Sequence, residues 1–155
     1  MSSRSLALAF VLACGYAPVR GRPAQGLRVG AVRNDTAQAE AGGIFAAELR
    51  RELSARGRLS PEGSAAPRLD AELVALRTSP SGVGAEGGAA SYRLDAELRI
   101  RAGDYQDAVL GGEDYLTGVD VLGTEANRRA ALHRLAQTLA AEAIERYEVN
   151  ERFGR

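Results

Sequence analysis

Apolar and polar side chains alternate without interruption through residues 91–102, and this is the clearest structural signal in the chain. The apolar positions are Tyr92, Leu94, Ala96, Leu98, Ile100 and Ala102. Arginines and carboxylates occupy the positions between them. Because successive side chains of a β-strand point to opposite faces of its sheet, the pattern predicts a strand with one buried and one solvated face.

Three weaker strand patterns accompany this segment. They cover residues 27–33, 68–78 and 107–117. The side chains that we expect on the buried face of the first are Leu27, Val29 and Ala31. Gly111 and Gly112 interrupt the last pattern, and they indicate a β-bulge.

The hexapeptide RLDAEL occurs twice, at residues 68–73 and 93–98. A duplicated strand would leave such a repeat, but similar patterning of two neighbouring strands explains it more simply. We therefore expect these strands to be adjacent and antiparallel. Arg68 or Arg93 would then pair with a carboxylate of the neighbouring strand.

Two other segments carry apolar residues at the three- and four-residue spacing of one helical face. The first helix is predicted over residues 38–56, and Gly57 suits its end. Its apolar face consists of Ala41, Phe45, Leu49 and Leu53, and the side chains expected in solvent are Glu48, Arg50, Arg51 and Glu52. The second helix is predicted over residues 124–148, with Thr124 and Asn127 as possible caps.

The resulting element order is β-α-β-β-β-α. Two helices are too few to cover both faces of a four-stranded sheet, and the third strand has one polar face. We therefore predict an α+β fold, a two-layer sandwich in which a four-stranded mixed sheet carries both helices on one face. The other face is expected to be open and available for binding.

The first fourteen residues have the pattern of an export signal. The apolar run at residues 6–13 is far shorter than the ~20 residues that cross a bilayer, and it ends directly before Cys14. Alanine followed by cysteine resembles the lipobox of bacterial lipoproteins, in which the signal is removed and the cysteine is acylated. An ordinary secretory signal followed by an unmodified cysteine is the alternative.

The lipoprotein interpretation divides the chain into four parts. They are a signal peptide (1–13), a flexible tether (14–26), a periplasmic domain (27–149) and a polar tail (150–155). Acyl chains on Cys14 would anchor the domain stably to a membrane. Gly15 favours the outer membrane, because an aspartate at this position retains enterobacterial lipoproteins in the inner membrane.

Composition argues against several classes of function. The chain has 20 acidic and 20 basic residues, and this balance argues against a nucleic-acid partner, which would require a basic excess. All the basic residues are arginines. His133 is the only histidine and Cys14 the only cysteine, which leaves neither a zinc site nor a Ser-His-Asp triad to assemble. We expect no catalytic residue, no metal and no cofactor.

The string formed by Gly82, Gly84 and Gly87 matches a dinucleotide-binding fingerprint. A strand rather than a helix is predicted after it, so the glycines indicate a hairpin loop. Carboxylate pairs such as Asp70/Glu72 alternate with arginines, which favours salt bridges over acid–base catalysis.

Several local features, taken in order, resemble the LptE family of lipopolysaccharide-assembly lipoproteins in Gram-negative bacteria. They are Cys14-Gly15-Tyr16 followed by Gly21, Val29–Val32 leading into Asn34-Asp35-Thr36, the helix end Leu49–Gly57, the strand start Leu69–Leu73, and an Ala/Leu-rich last helix. The resemblance implies a sandwich of two helices and four strands, in agreement with the pattern. It also implies a protein that plugs the outer-membrane β-barrel LptD, helps that barrel to assemble, and binds lipopolysaccharide during its export.

A lipid phosphate requires arginine or lysine on an accessible surface. The candidates for lipopolysaccharide contact are Arg99 and Arg101 on the solvated face of the third strand, with Arg77 on its neighbour. The alternative is that these arginines only form ion pairs, with Asp95, Glu97 and Asp70 as partners.

A second reading is a periplasmic lipoprotein of the LpoB or CsgG type, which activates a cell-wall synthase or builds a secretion pore. A strand that ends in Asn-x-Thr before a helix also occurs in those proteins. They form their sheet differently, however, and the sequence lacks the amphipathic hairpin that a pore builder needs.

Overall fold

The computed structural model describes residues 25–84 and 89–154. The elements are β1 (Arg28–Asn34), α1 (Ala41–Ala55), β2 (Arg68–Val83), β3 (Ala89–Ala102), β4 (Tyr105–Leu116) and α2 (Val121–Phe153). Their order is the predicted β-α-β-β-β-α, and the fold is α+β. Cys14, nearly all of the tether and Gly87 of the glycine-rich loop lie outside the described residues.

The four strands form one mixed sheet in the order β1-β2-β3-β4. β1 is parallel to β2, since α1 provides the crossover between them, and the other neighbours are antiparallel. The two RLDAEL segments therefore lie on adjacent antiparallel strands, as predicted, and Asp70 is opposite Arg101. β1 ends opposite Leu73, so the second halves of β2 and β3 extend beyond it.

Both helices pack on the same face of the sheet, and one core fills the space between the layers. Its fully buried side chains include Phe45, Leu49 and Leu53 of α1, Leu94 and Leu98 of β3, and Leu132, Leu135 and Leu139 of α2. At one end Tyr105 of β4 meets Tyr147 of α2 edge-on, with ring centroids 5.4 Å apart. Within the described residues no element covers the other face, which confirms the predicted two-layer sandwich.

A bulge changes the phase of β1. Val29 is opposite Leu69, but the next register pair joins Val32 to Ala71, so β1 has one more residue than β2 in this interval. The prediction that Ala31 faces the core is therefore wrong. Ala31 is exposed, and Val32 packs against the core instead.

The bulge predicted at Gly111 and Gly112 is also wrong, because β4 pairs with β3 in unbroken register. Gly111 has a packing role. A Cβ atom there would lie 2.9 Å from Cδ2 of Leu139, so the glycine allows α2 to approach β4 closely. The sheet's other irregularities lie in the β2–β3 pair, the first between Leu73 and Ala75 of β2.

The apolar face predicted for α1 is buried throughout, and Gly57 follows the helix with a φ of 65°. Glu48, however, was expected in solvent and is only 8% exposed. Its carboxylate accepts a hydrogen bond from Arg51. This ion pair compensates for the burial of a charge at the margin of the core.

α2 begins at Val121, earlier than predicted, and Asp120 caps it by accepting a hydrogen bond from the N–H of Gly123. Thr124 and Asn127 are not the caps. Instead they bind the segment that leads into the helix, through the N–H of Gly118 and the carbonyl of Leu116. The helix ends at Phe153, so residues 150–153 of the predicted tail continue it. Neither described helix has an apolar stretch long enough to span a membrane.

Candidate ligand-binding face

Six arginines line two concavities on the open face of the sheet, the face turned away from both helices. They are Arg33 on β1, Arg68 and Arg77 on β2, and Arg93, Arg99 and Arg101 on β3. The three residues predicted to contact lipopolysaccharide, Arg77, Arg99 and Arg101, are thus on one surface. Alternation along β3 places Arg99 and Arg101 there, because their neighbours along the strand fill the core. Arg77 reaches this face through the register shift between Leu73 and Ala75, since unbroken alternation from Leu69 and Leu73 would turn it toward the core.

Four of these arginines surround a concavity of about 410 Å³ near the start of β2, which we call the cationic basin. Its charged lining is Arg33, Arg68, Arg99 and Arg101, with Asp70 and Glu72 between them. The lining holds four guanidinium groups and two carboxylates, and two more carboxylates, Asp35 and Glu97, pair with Arg33 and Arg99 just outside it. Such an arrangement offers planar donors that suit phosphate or carboxylate.

Arg101 is the most available arginine of the basin. Asp70 holds Arg68 at 2.6 Å but lies 3.7 Å from Arg101, whose side chain is 66% exposed. Because one carboxylate is divided between two guanidinium groups, most of the donors of Arg101 remain available to an additional anion.

Arg33 and Arg99 are more fully paired. Arg33 contacts Asp35 at 2.9 Å and Glu72 at 3.6 Å, and the hydrogen bond to Asp35 raises the pKa of its guanidinium group. Arg99 lies 3.3 Å from Glu72 and 3.3 Å from Glu97. Both Arg99 and Arg101 therefore form ion pairs of the kind that the alternative expects, but the pair of Arg101 is the longer and its carboxylate is shared with Arg68.

Arg77 belongs to a second concavity, of about 490 Å³, further along the same face, which we call the apolar basin. The apolar part of its lining includes Ala75, Leu110 and Gly112, and the charged residues Arg93, Asp95 and Glu97 of β3 also line it. Asp95 is directly opposite Arg77 on β3, but Arg93 holds that carboxylate at 3.0 Å. Among the described residues, no carboxylate forms an ion pair with Arg77.

The sequence did not point to Arg33, Leu110 or Gly112 as parts of this surface, and it pointed to Arg68 only as a partner for a carboxylate of the adjacent strand, whereas Arg68 pairs with Asp70 of its own strand. Arg68 joins Arg101 because the register of β2 and β3 places Asp70 between them. Arg33 enters the basin only because the bulge in β1 turns it to the open face. Neither the register nor the bulge leaves a mark in the hydrophobic pattern.

The described chain begins at the same end of the sheet as the cationic basin. β1 starts beside Arg68, the first residue of β2. Arg58, which is 5% exposed, donates hydrogen bonds of 2.6 and 3.2 Å to the carbonyl of Gln25. The tether that would carry an acylated Cys14 therefore joins the domain at its cationic end.

The sequence model of the lipopolysaccharide-assembly family LptE matches residues 24–146, which is most of the chain. The chain belongs to the LptE family. This membership confirms the resemblance that the order of motifs along the sequence indicated. A comparison with curated protein sequences finds no match.

Solved structures with similar folds include other lipoproteins. A putative lipoprotein from Caulobacter crescentus has 14% identity and a TM-score of 0.52, over 81% of this chain and 92% of that one. The rare lipoprotein B from Shewanella oneidensis has 16% identity and a TM-score of 0.51, over 79% of this chain and 97% of that one. At these identities the similarity establishes the fold alone.

Proposed function

We propose that this LptE-type chain is anchored to the outer membrane through Cys14, facing the periplasm. There it plugs an LptD-type β-barrel, helps the barrel to assemble, and binds lipopolysaccharide during export. The observation that carries the proposal is the family match, together with an uncovered arginine-rich sheet face in the domain that matches. We further propose that the protein acts by binding alone, without catalysis and without a cofactor.

The open face supports a role in binding an anionic lipid. Lipopolysaccharide carries phosphate groups, and charge-assisted hydrogen bonds from arginine are among the strongest that a protein makes to phosphate. The cationic basin offers four guanidinium groups, and Arg101 among them is two-thirds exposed and has only a long ion pair with Asp70.

The distribution of polar side chains supports a role as a plug. The lumen of an outer-membrane barrel is polar, so a domain that fills it must present polar groups outward. Arginines and carboxylates of β1 to β3 form such a surface on one side, and the outer side of α2 carries exposed residues such as Arg129, His133 and Arg134. A domain with polar groups on both layers suits an enclosure that is polar on all sides.

Co-purification tests the partner. Membranes from the native organism would be solubilised with the full chain carrying a C-terminal affinity tag, and the co-purifying proteins identified by mass spectrometry. We expect an outer-membrane barrel of several hundred residues. Enrichment of a cell-wall synthase or a secretion pore instead would contradict the proposal.

Two further measurements test the anchor and the cargo. The intact mass of the purified protein should include the acyl increment on Cys14, and a Cys14→Ser variant should lack it. Depletion of the protein should stop newly made lipopolysaccharide from reaching the cell surface. Normal surface lipopolysaccharide with altered cell-wall crosslinking would refute the export role.

A further inference from the structure

The open face changes character along its length. Near the start of β2 it is the cationic basin. The apolar basin lies about four residues away, toward the end of β2 and the start of β3, which is roughly 13 Å at the rise of a strand. In the direction away from the tether the face therefore gains apolar surface from Ala75 and β4, while Arg77, Arg93, Asp95 and Glu97 keep charges on it.

One edge of the face carries most of the apolar surface. On β4, the residues opposite Arg99, Glu97, Asp95 and Ser91 of β3 are Ala108, Leu110, Gly112 and Leu116. We call these four residues of β4 the apolar stripe. Leu110 and Leu116 are 68% and 67% exposed. Asp114 interrupts the stripe between Gly112 and Leu116, and it pairs with Arg93 at 2.9 Å.

The stripe leads to an exposed apolar end of the molecule. Val83 at the end of β2 lies near the end of the stripe, because Gly82 and Leu116 are both opposite Ser91. Val119, Val121 and Leu122 between β4 and the first turn of α2 are also exposed. Exposed apolar groups from three elements at one end of a domain indicate a surface that contacts apolar material.

We propose that the open face binds an acylated phosphosugar in one fixed orientation. The phosphate groups lie in the cationic basin on Arg68 and Arg101, and an acyl chain follows the apolar stripe past Leu110 and Leu116 toward Val83. The proposal rests on the proposed binding of lipopolysaccharide and adds the direction and the contact residues to it. Charge complementarity selects this occupant, because an amphiphile with an anionic head matches both halves of the open face.

The fixed orientation has a mechanical consequence. The tether joins the domain at the cationic end, so the phosphates of the bound lipid lie near the anchored side of the protein. The acyl chains point to the opposite end, which is about fifteen residues of β2 away, or roughly 50 Å. The domain would thus pass its ligand onward with the apolar part leading.

Two water-soluble probes separate the two halves of the site. One is a phosphorylated glucosamine disaccharide without acyl chains. The other is the same headgroup with short acyl chains, used below its critical micelle concentration. The acylated full chain would be held in nanodiscs of zwitterionic lipid, with empty nanodiscs as the blank, and affinities measured by surface plasmon resonance.

The headgroup variant is Arg101→Glu, and the structure offers a close control. Arg129 on α2 has a side chain that is 61% exposed and lies 3.6 Å from the carboxylate of Glu40. Arg101 is closely matched, with a side chain that is 66% exposed and lies 3.7 Å from the carboxylate of Asp70. We expect Arg101→Glu to weaken both probes about tenfold, and Arg129→Glu to change neither. Equal effects of the two reversals would overturn the headgroup position.

The acyl variant is Leu110→Asp, with Val149→Asp on α2 as the control and Leu110→Ala in reserve if the aspartate disturbs the strand. We expect Leu110→Asp to weaken the acylated probe about fivefold and to leave the bare headgroup unchanged. Unchanged affinity for the acylated probe, or equal losses for both probes, would overturn the proposed orientation.

Two other outcomes have distinct meanings. If the unmodified protein binds neither probe, the proposed function fails as well as this inference. If instead the protein is dimeric by sedimentation and Leu110→Asp makes it monomeric, a second copy covers the stripe and the lipid assignment is overturned.

Discussion

Arg58 is predicted to hold the start of the domain against its last helix, and its replacement tests that role. The side chain is 5% exposed and contacts three carboxylate or carbonyl groups: Gln25 at 2.6 Å, Glu151 at 2.8 Å and Glu148 at 3.3 Å. It also lies 5.4 Å from the centre of the Tyr147 ring. The substitution Arg58→Met keeps most of the side-chain volume and removes all of the charged contacts.

The expected cost follows from how these partners are placed. Breaking a fully buried ion pair costs about 3–5 kcal/mol, because the remaining charge is stranded. Here the side chains of Glu148 and Glu151 are 17% and 28% exposed, and Glu148 keeps a second partner in Arg56 at 2.8 Å. We therefore expect Arg58→Met to lower the free energy of unfolding by about 2 kcal/mol, which is roughly 6–8 °C in Tm for a domain of this size.

Urea unfolding followed by circular dichroism gives this free energy, and Arg50→Met is the control. Arg50 is 39% exposed and its ion pair with Glu62 is 3.9 Å long, so its loss should cost less than about 0.5 kcal/mol. Faster hydrogen exchange at the amide of Leu27, which donates to the carbonyl of Arg58, should accompany the larger loss. Equal losses of unfolding free energy for the two variants, or unchanged hydrogen exchange at Leu27, would refute the proposed role of Arg58.

Two other predictions concern packing and titration. Gly111→Val should destabilise the domain by roughly 1–3 kcal/mol because its side chain meets Leu139, whereas Gly43→Ala, where a Cβ has nothing within 4 Å, should stabilise it by about 0.5–1 kcal/mol. Thermal unfolding of the two variants in opposite directions confirms this packing, and a shift of the same sign contradicts it. Burial, with the charge and hydrogen bond of Asp107, raises the pKa of Tyr105 to about 12. The pKa of a tyrosine in the unfolded chain is about 10, so the stability that neutral Tyr105 contributes is complete below pH 10 and is lost as the pH rises to about 12. Asp107→Asn should lower the pKa of Tyr105 in an NMR titration, and an unchanged midpoint would count against this account.

The family and the fold were accessible from the sequence because both depend on local order. Period-two alternation in residues 91–102 defined β3 and its two faces, and each of its predicted core positions from Leu94 onward is buried. The four-residue spacing of Phe45, Leu49 and Leu53 defined α1 in the same way. The alternation in β3 also placed Arg99 and Arg101 on the open face. Arg77 is on that face only because the register shift between Leu73 and Ala75 changes the phase of β2.

The composition of the binding face depended on the tertiary structure. Arg33 and Arg68 join Arg101 only through the bulge in β1 and the register between β2 and β3. The gain of apolar surface along this face depends on β4, whose exposed Leu110 lies beside the charged β3. Periodicity determines the face of a side chain only within an unbroken strand, whereas bulges change that face, and strand order and register determine the neighbours across the sheet. Those depend on the packing of the whole domain, and no local pattern encodes them.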